Sequence, residues 1–529
     1  MDGRRRTYWS DVGWVGLFSL ILFGFAGFSG RPLTMHEARL PQTSREMLQN
    51  HHWLLPTSGG RPWLERPPLP HWIVIASMKL FGHVDRVWIV RLPSAVMGTL
   101  TVLLAIYIAS RWFGQEIGLI TGLLLATSLK FYQYSTLAED DIYLAMLVAL
   151  AAALFTQAEL LPLIRINRFG FFALRRWAIC LFFIVLGLSN LTKGPLLGIL
   201  ILGSAVGIFL CLRSRIEQSL QPLYRYTWLW GWILLLGLTL AWPLWAYRHV
   251  PDVVENWRYD YVGRISGVYS AINQPWWYYP PNLALALLPW TPICLLGVWI
   301  ALKNRLNVGY QWILCWALVP LAVLSIPKGK HDHYLVPFLA PWATLGAIGV
   351  VEIGKRLRAG RKTLIAIALL LALSYSSGEA MFAAQTDHTV DDTAFLLRCR
   401  NEVPENCPLY IDGKLGPPGN LDFFRMQFYS RPNAILLHNL TFLRDNKITT
   451  PIVYVIARQR DVSQLSKYGR TQQIDQSPKS HDLDTPAGRF TLFKLSFDPA
   501  LQRYPAPTYI SSMQAMERTP GPLCGPEDQ

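Results

Sequence analysis

The chain has 529 residues, of which 52% are hydrophobic and only 16% charged, with 21 tryptophans and a formal net charge of +15. Apolar runs of about 20 residues recur over the first three quarters, which excludes an ordinary soluble protein and predicts a polytopic α-helical membrane protein. Nucleic-acid binding is excluded as the meaning of the positive charge, because the basic residues sit in short clusters between apolar runs and not on one continuous face.

In chain order, MDGRRR precedes an apolar run from Trp9 to Phe28 that lacks a small-residue cleavage site and reads as a retained anchor. The positive-inside rule then places the N-terminus in the cytoplasm and the polar loop after it outside. Further spans are expected at roughly 89–110, 115–133, 141–160, 176–192, 195–212, 226–246, 281–301, 310–326, 334–353 and 362–377, about eleven in all. The shorter run 71–82 reads as a re-entrant or surface-lying helix. Alternate loops support this order. Arg165 to Arg176, Arg213 to Arg225, Lys303 with Arg305, and Lys355 to Lys362 all fall on the N-terminal side. The opposite face nevertheless keeps Arg39, Arg66, Lys193, Arg258, Arg264, Lys328 and Lys330. A phosphate-bearing ligand is the economical reason for these exceptions, since Arg forks and Lys point charges are the usual partners of phosphate oxygens.

Beyond residue 377 the pattern becomes that of a soluble domain. Strands are expected at 408–412, 434–438, 451–457 and 489–497, with a helix around 418–429 and a turn at 416–419. The organisation expected is therefore a transmembrane domain over 1–377, with loops 30–88 and 247–281 outside, a soluble extracytoplasmic α/β domain over 378–505, and an irregular tail over 506–529. Seven cysteines show no metal-finger spacing. Cys399 and Cys407 read either as a disulfide in an oxidising compartment or as buried free thiols.

The stretch from Met35 to Trp72 gathers His36, Glu37, Arg39, Arg45, Glu65, Arg66 and several rings next to the first apolar run. Its fragments His36-Glu37-Ala38-Arg39, Ser44-Arg45-Glu46-Met47, Trp53, Pro56 and Glu65-Arg66-Pro67-Pro68-Leu69-Pro70-His71-Trp72 resemble, in order and spacing, the catalytic loop of the GT-C integral-membrane glycosyltransferases. Within that class it resembles the branch containing the bacterial aminoarabinose transferases and protein O-mannosyltransferases. LAEDDIYLA (137–145), LTKGP (191–195), WWYY (276–279), LLPWTP (287–292) and KGKHDHYLVPFLAP (328–341) extend the resemblance over roughly residues 10–350. It implies a transferase taking a sugar from a polyprenyl-phosphate donor to a lipid, glycan or protein acceptor at the outer face of the inner (plasma) membrane.

The resemblance also implies roles, residue by residue. His36 stands where the family has an acidic residue assigned as general base; a neutral imidazole can accept a proton, and Glu37 is the adjacent candidate. Arg66 replaces a lysine that looks like a donor-phosphate ligand. Glu65 matches a position associated in some relatives with a divalent metal, against the alternative of a salt bridge to Arg66 or Arg61. Asp141 opens a span as a site carboxylate, whereas Glu139 and Asp140 read as a solvated helix cap. Lys193, Arg264, Lys330, His333 and Tyr334 are read as substrate contacts, with tight turns and interfacial packing the alternatives. No cofactor is required by this chemistry, and a divalent metal at Glu65 is an open alternative to the salt bridge. The rival readings are a catalytically inactive sugar-lipid binding or assembly protein and a secondary transporter; the clustering of ionisable groups at one face speaks against the transporter.

Overall fold

The computed structural model describes residues 2–497, apart from 59–60, 161–169, 195, 252, 259–261, 263–265, 268–272, 358–360, 386, 413–420, 432–433, 438–449 and 481–488. The first helices are α1 (Asp2–Phe28), α2 (Met35–Gln49), α3 (Leu69–Phe81), α4 (Val87–Phe113), α5 (Gln115–Ala126), α6 (Leu129–Thr136), α7 (Asp141–Leu160) and α8 (Gly170–Lys193). There follow α9 (Ser204–Ile216), α10 (Leu229–His249), α11 (Tyr279–Ala286), α12 (Thr291–Lys303), α13 (Val308–Ser325), α14 (Leu339–Leu357), α15 (Arg361–Gln385), α16 (Asp387–Glu402) and α17 (Leu421–Tyr429). Among the described residues, eight helices are long and apolar enough to cross a membrane, nine if one bent pair counts as a single span.

Two of the eleven expected spans differ for visible reasons. The run 115–133 breaks into α5 and α6 because neighbours take up the backbone at the break: Leu129 N–H donates to Leu288 O at 3.0 Å and Thr127 O accepts from Tyr375 Oη at 2.9 Å. The run 362–377 is helical, but its described apolar part, Ala366–Gly378, is shorter than a span. The run 281–301 is the bent pair, α11 and α12, which meet at 114°. Pro289 and Pro292 lie at that bend, and proline cannot continue the amide ladder of a helix. The run 71–82 is the apolar helix α3, 13 residues long.

By contacts the chain divides into two compact units. The first comprises Met1–Phe28, Glu65–Ile73 and Arg91–Glu379. Here α7 packs along α8, α8 against α10, α9 against α13, and α14 against both α5 and α12. In α7, Ala145, Ala149 and Ala152 recur one helical face apart and are buried, as close packing of apolar helices requires. The antiparallel pair α7–α8 is tied at both ends, by Asp141–Lys193 at 2.5 Å and Glu159–Arg175 at 3.8 Å. Helices α12 and α14 touch backbone to backbone: a Cβ on Gly297 would lie 1.8 Å from Leu345 O, and one on Gly349 2.5 Å from Ile293 O.

The second unit comprises Ser29–Leu64, Val74–Val90 and Ala380–Gln529. Residues 29–64, expected within the transmembrane domain, thus group with the C-terminal sheet. A two-residue hairpin, β1 (Thr57–Ser58) with β2 (Arg61–Pro62), closes the loop after α2. The main sheet has five strands, β3 (Leu409–Asp412), β4 (Ile435–Leu437), β5 (Ile452–Arg458), β6 (Gly469–Ser480) and β7 (Arg489–Phe497), in the order β4-β3-β5-β7-β6. β3 pairs parallel with β4 and β5, and β7 pairs antiparallel with β5 and β6. Val453, Val455, Ala457, Phe493 and Leu495 fill its core by the strand alternation. β6 escapes a reading by apolar alternation because it is a polar edge strand with register shifts near Gln473 and Gln476. Cys399 and Cys407 are both free thiols, not a disulfide: Cys399 is buried in α16, and Cys407 lies in the turn beyond it. The tail 506–529 and the turn 416–419 lie outside the described residues.

The α12–α14 contact has a direct test. Gly297→Ala should destabilise the protein by about 1–3 kcal/mol, the usual cost of overpacking. Gly24→Ala, with nothing within 4 Å of the added methyl, should be near neutral or slightly stabilising. Thermal unfolding in detergent measures both, and equal midpoints for the two variants would refute the contact.

Candidate active site

In the first unit, a buried charge cluster forms where α7 begins and α8 ends. Residue Asp141 is 1% exposed and heads α7, where a carboxylate is favoured by the helix dipole; Lys193 is 6% exposed and ends α8, where a cation is favoured. Lys193 Nζ lies 2.5 Å from Asp141 Oδ2 and 3.6 Å from Asp140 Oδ1. Arg66 Nε lies 2.7 Å from Asp140 Oδ2, and Arg66 Nη1 3.3 Å from Glu65 Oε1. Asp140 therefore joins the two cations, which its reading as a solvated cap missed. Three acids in a row before an apolar span were the available signal: a helix cap needs one.

Glu65 takes the salt bridge with Arg66 that stood as the alternative to a metal role. The carboxylates that approach one another closely enough to share an ion are instead Glu139, Asp140 and Asp141, with ligand atoms within 4.8 Å. Asp141 Oδ1 is buried and has no hydrogen-bond partner.

Tyr334 joins this cluster, with Lys193 Nζ 5.5 Å from its ring centroid. His333 packs edge-on to Tyr334 and stacks on His331 at 4.9 Å. Asp332 pairs with Lys130, and Tyr134 stands 6.1 Å from His333. Burial, with the Asp141 charge next in weight, pushes the Tyr134 hydroxyl far above the ordinary tyrosine range, so it stays a proton donor. Neither Lys130 nor Tyr134 carried a family signal in the sequence. Lys330 donates to Gln274 O at 3.0 Å and Pro327 O at 2.5 Å, fastening the 328–330 strip to 273–274. Burial holds its ammonium below the ordinary lysine value. Of three ammonium protons, two are thereby used. Arg264 lies outside the described residues.

His36, Glu37 and Arg39 belong to the second unit and sit in the first turns of α2. Glu37 closes a capping box: Thr34 N–H donates to Glu37 Oε2 at 3.0 Å, and Glu37 N–H donates to Thr34 Oγ1 at 3.2 Å. The Thr-x-x-Glu spacing announces that box in the sequence. His36 is exposed, and its Nδ1 accepts from Arg39 Nη2 at 2.5 Å, since a guanidinium can only donate. The neutral ring therefore carries its proton on Nε2.

A model of the dolichyl-phosphate-mannose-protein mannosyltransferase family matches residues 65–247. An undecaprenyl phosphate-alpha-4-amino-4-deoxy-L-arabinose arabinosyl transferase of Pseudomonas fluorescens is 28% identical over 381 residues, covering 67% of this chain and 61% of the relative. One from Edwardsiella ictaluri is 28% identical over 397 residues, covering 70% and 68%. The chain thus spans less than two thirds of the Pseudomonas relative's length. The crystal structure of ArnT from Cupriavidus metallidurans bound to undecaprenyl phosphate superposes with a TM-score of 0.70 at 16% identity, over 93% of this chain and 98% of that one. The oligosaccharyltransferase of Archaeoglobus fulgidus gives 0.55 at 12% identity, over 86% and 70%. The fold is that of the GT-C glycosyltransferases, as the loop resemblance implied.

Charge balance in the cluster predicts non-additive variants. Lys193→Met leaves buried carboxylates short of a cation and should cost about 3–5 kcal/mol, whereas Asp141→Asn combined with Lys193→Met should cost clearly less. Thermal unfolding of the two single variants and the double variant measures the coupling. Strictly additive losses would mean that the two charges do not depend on each other.

Proposed function

We propose, for a multi-pass membrane protein with the fold and loop pattern of the aminoarabinose transferases, that it moves a sugar from a polyprenyl-phosphate donor to an acceptor at the extracytoplasmic face of the plasma membrane. The observation that carries this reading is the Glu65–Arg66–Asp140–Lys193–Asp141 network, whose Asp140, Asp141 and Lys193 are buried where α7 begins and α8 ends. Charge of this density is costly to bury and is retained where a charged ligand is handled.

In the proposed step, the bond from the anomeric carbon to the phosphate oxygen breaks as the acceptor oxygen or nitrogen bonds that carbon from the opposite face, with inversion. Polyprenyl phosphate leaves with the electron pair. Arg66 and the third ammonium proton of Lys330 neutralise the developing phosphate charge, which is where preorganised donors lower a barrier most. Lys193 serves Asp141, holding Oδ2 and leaving Oδ1 for the acceptor proton. His36 is the weaker base of the two, because its one acceptor nitrogen already faces Arg39. The His36–Arg39 pair is assigned to binding an anionic part of a substrate. No cofactor enters the step; a divalent ion at Glu139, Asp140 and Asp141 is the alternative that chelation tests.

The catalytically inactive reading rests on His36 standing in place of the family carboxylate. One assay separates the two, with undecaprenyl phosphate-linked 4-amino-4-deoxy-L-arabinose as donor and an envelope-lipid extract as acceptor. Asp141→Asn should lower turnover by about 10²–10⁴ while undecaprenyl phosphate still binds. His36→Ala should stay within about tenfold of the unmodified protein. Arg66→Ala should weaken undecaprenyl phosphate binding, Arg66→Lys should keep much of it, and EDTA should leave turnover unchanged. Binding without transfer by the unmodified protein, across the sugar-phosphate donors tried, would establish the inactive reading.

Orientation is tested separately. With the broken α5–α6 run and the shorter apolar helix α15 counted as crossings beside the nine, Ser466→Cys in a cysteine-free background should react with an impermeant maleimide added to whole spheroplasts, and Lys303→Cys only after lysis. The reverse pattern would put the charge cluster on the other side of the membrane.

A further inference from the structure

The C-terminal part of the second unit supplies no residue to the transfer step just described, yet its helix α17 holds α2 by an unusual contact. Arg45 is 1% exposed, and its guanidinium donates to Phe428 O through Nη1 at 3.0 Å and to Gln427 O through Nη2 at 2.8 Å. It lies 4.9 Å from the Phe428 ring centroid and also donates to Gln42 Oε1. Gln427 and Phe428 are in the last turn of α17, where backbone carbonyls lack partners within the helix and carry the negative end of its dipole. Arg45 is thus the C-terminal cap of α17, supplied from α2.

The same short stretch holds the other end of α2. Tyr429 Oη accepts from Leu33 N–H at 2.8 Å, directly before the Thr34 cap. Trp63 packs edge-on against Phe424 of α17 at 5.6 Å. On α2 itself, Glu46 accepts from Gln42 Nε2 and from Thr57 Oγ1, both at 3.0 Å, so the buried face of α2 offers no slack to Arg45.

We propose that Arg45 and Tyr429 are positioning residues: the end of α17 clamps α2 near both of its termini, and this fixes the His36–Arg39 pair for the reaction. The inference deepens the transferase reading and rests on it for the effect on turnover, but the clamp itself is independent of any activity. The sheet unit thereby acts as a brace for the loop helix. A lysine at position 45 offers one point charge in place of a fork and can restore only part of the cap.

The test uses the full chain in detergent, with hydrogen–deuterium exchange, undecaprenyl phosphate binding and turnover measured on Arg45→Met, Arg45→Lys and Tyr429→Phe. In Arg45→Met, exchange over 35–49 should rise about tenfold or more while 452–458 and 489–497 stay protected. Turnover per undecaprenyl phosphate-binding site should fall about tenfold with the Kd for undecaprenyl phosphate unchanged, and Arg45→Lys should recover part of both effects. Simple destabilisation would reduce the number of binding sites and leave turnover per site intact. Unchanged exchange over 35–49 in Arg45→Met overturns the clamp, and faster exchange with unchanged turnover per site overturns the positioning role. Should Arg45→Met fail to fold, Tyr429→Phe, with a smaller rise of about two- to fivefold, carries both readouts. Should the unmodified protein transfer no sugar, the transferase reading fails and the exchange data alone decide the clamp.

Discussion

The ion pair between Asp141 and Lys193 sets the terms for the first unit. Neither charge could remain where α7 and α8 meet unless the other were there, because an unpaired buried charge costs several kcal/mol. Each also sits at the helix end whose dipole favours it. The pair then recruits the rest: Asp140 reaches from Lys193 to Arg66, and Arg66 reaches to Glu65. The linked groups are three carboxylates and two cations, so an incoming phosphate must compete with carboxylates already in place. Such competition gives the site a reason to discriminate among anions by geometry and not by charge alone.

Much of this is legible in the sequence, and the reasons differ by element. The spans were legible because 18 or more apolar residues in a row admit few other structures, and β5 and β7 because their apolar side chains cluster in the register of a strand. The breaks in 115–133 and at α11–α12 were not, since hydropathy averages over Thr127 and Pro289 and carries no information on who takes the freed backbone groups. β6 was invisible for the opposite reason: its side chains are polar, and only the ladder to β7 makes it a strand.

The site residues divide in the same way. Arg66, Asp141, Lys193 and Tyr334 were singled out from the loop resemblance and by their position beside spans, and the fold brings them into one cluster. Asp140 was assigned to solvent because adjacency in sequence to a better candidate hides a second role. Arg45 was noted only as part of a pattern. That it caps a helix nearly 400 residues later is a fact of tertiary structure, and no local spacing reports it. Glu37 illustrates the converse, a residue beside a candidate base whose capping role could have been read from Thr34 three positions earlier.

The double fastening of α7 to α8 bears on how the protein is made. Each helix alone would carry a charge of one sign at either end into or beside the lipid: Asp141 and Glu159 on one, Arg175 and Lys193 on the other. Entered one at a time, both would leave the insertion machinery with charges that the bilayer solvates poorly. Entered together, as an antiparallel helical hairpin, they arrive with those charges matched at both ends. The two helices therefore carry each other's countercharges at both ends, and separating them in the membrane would expose charges of one sign on each.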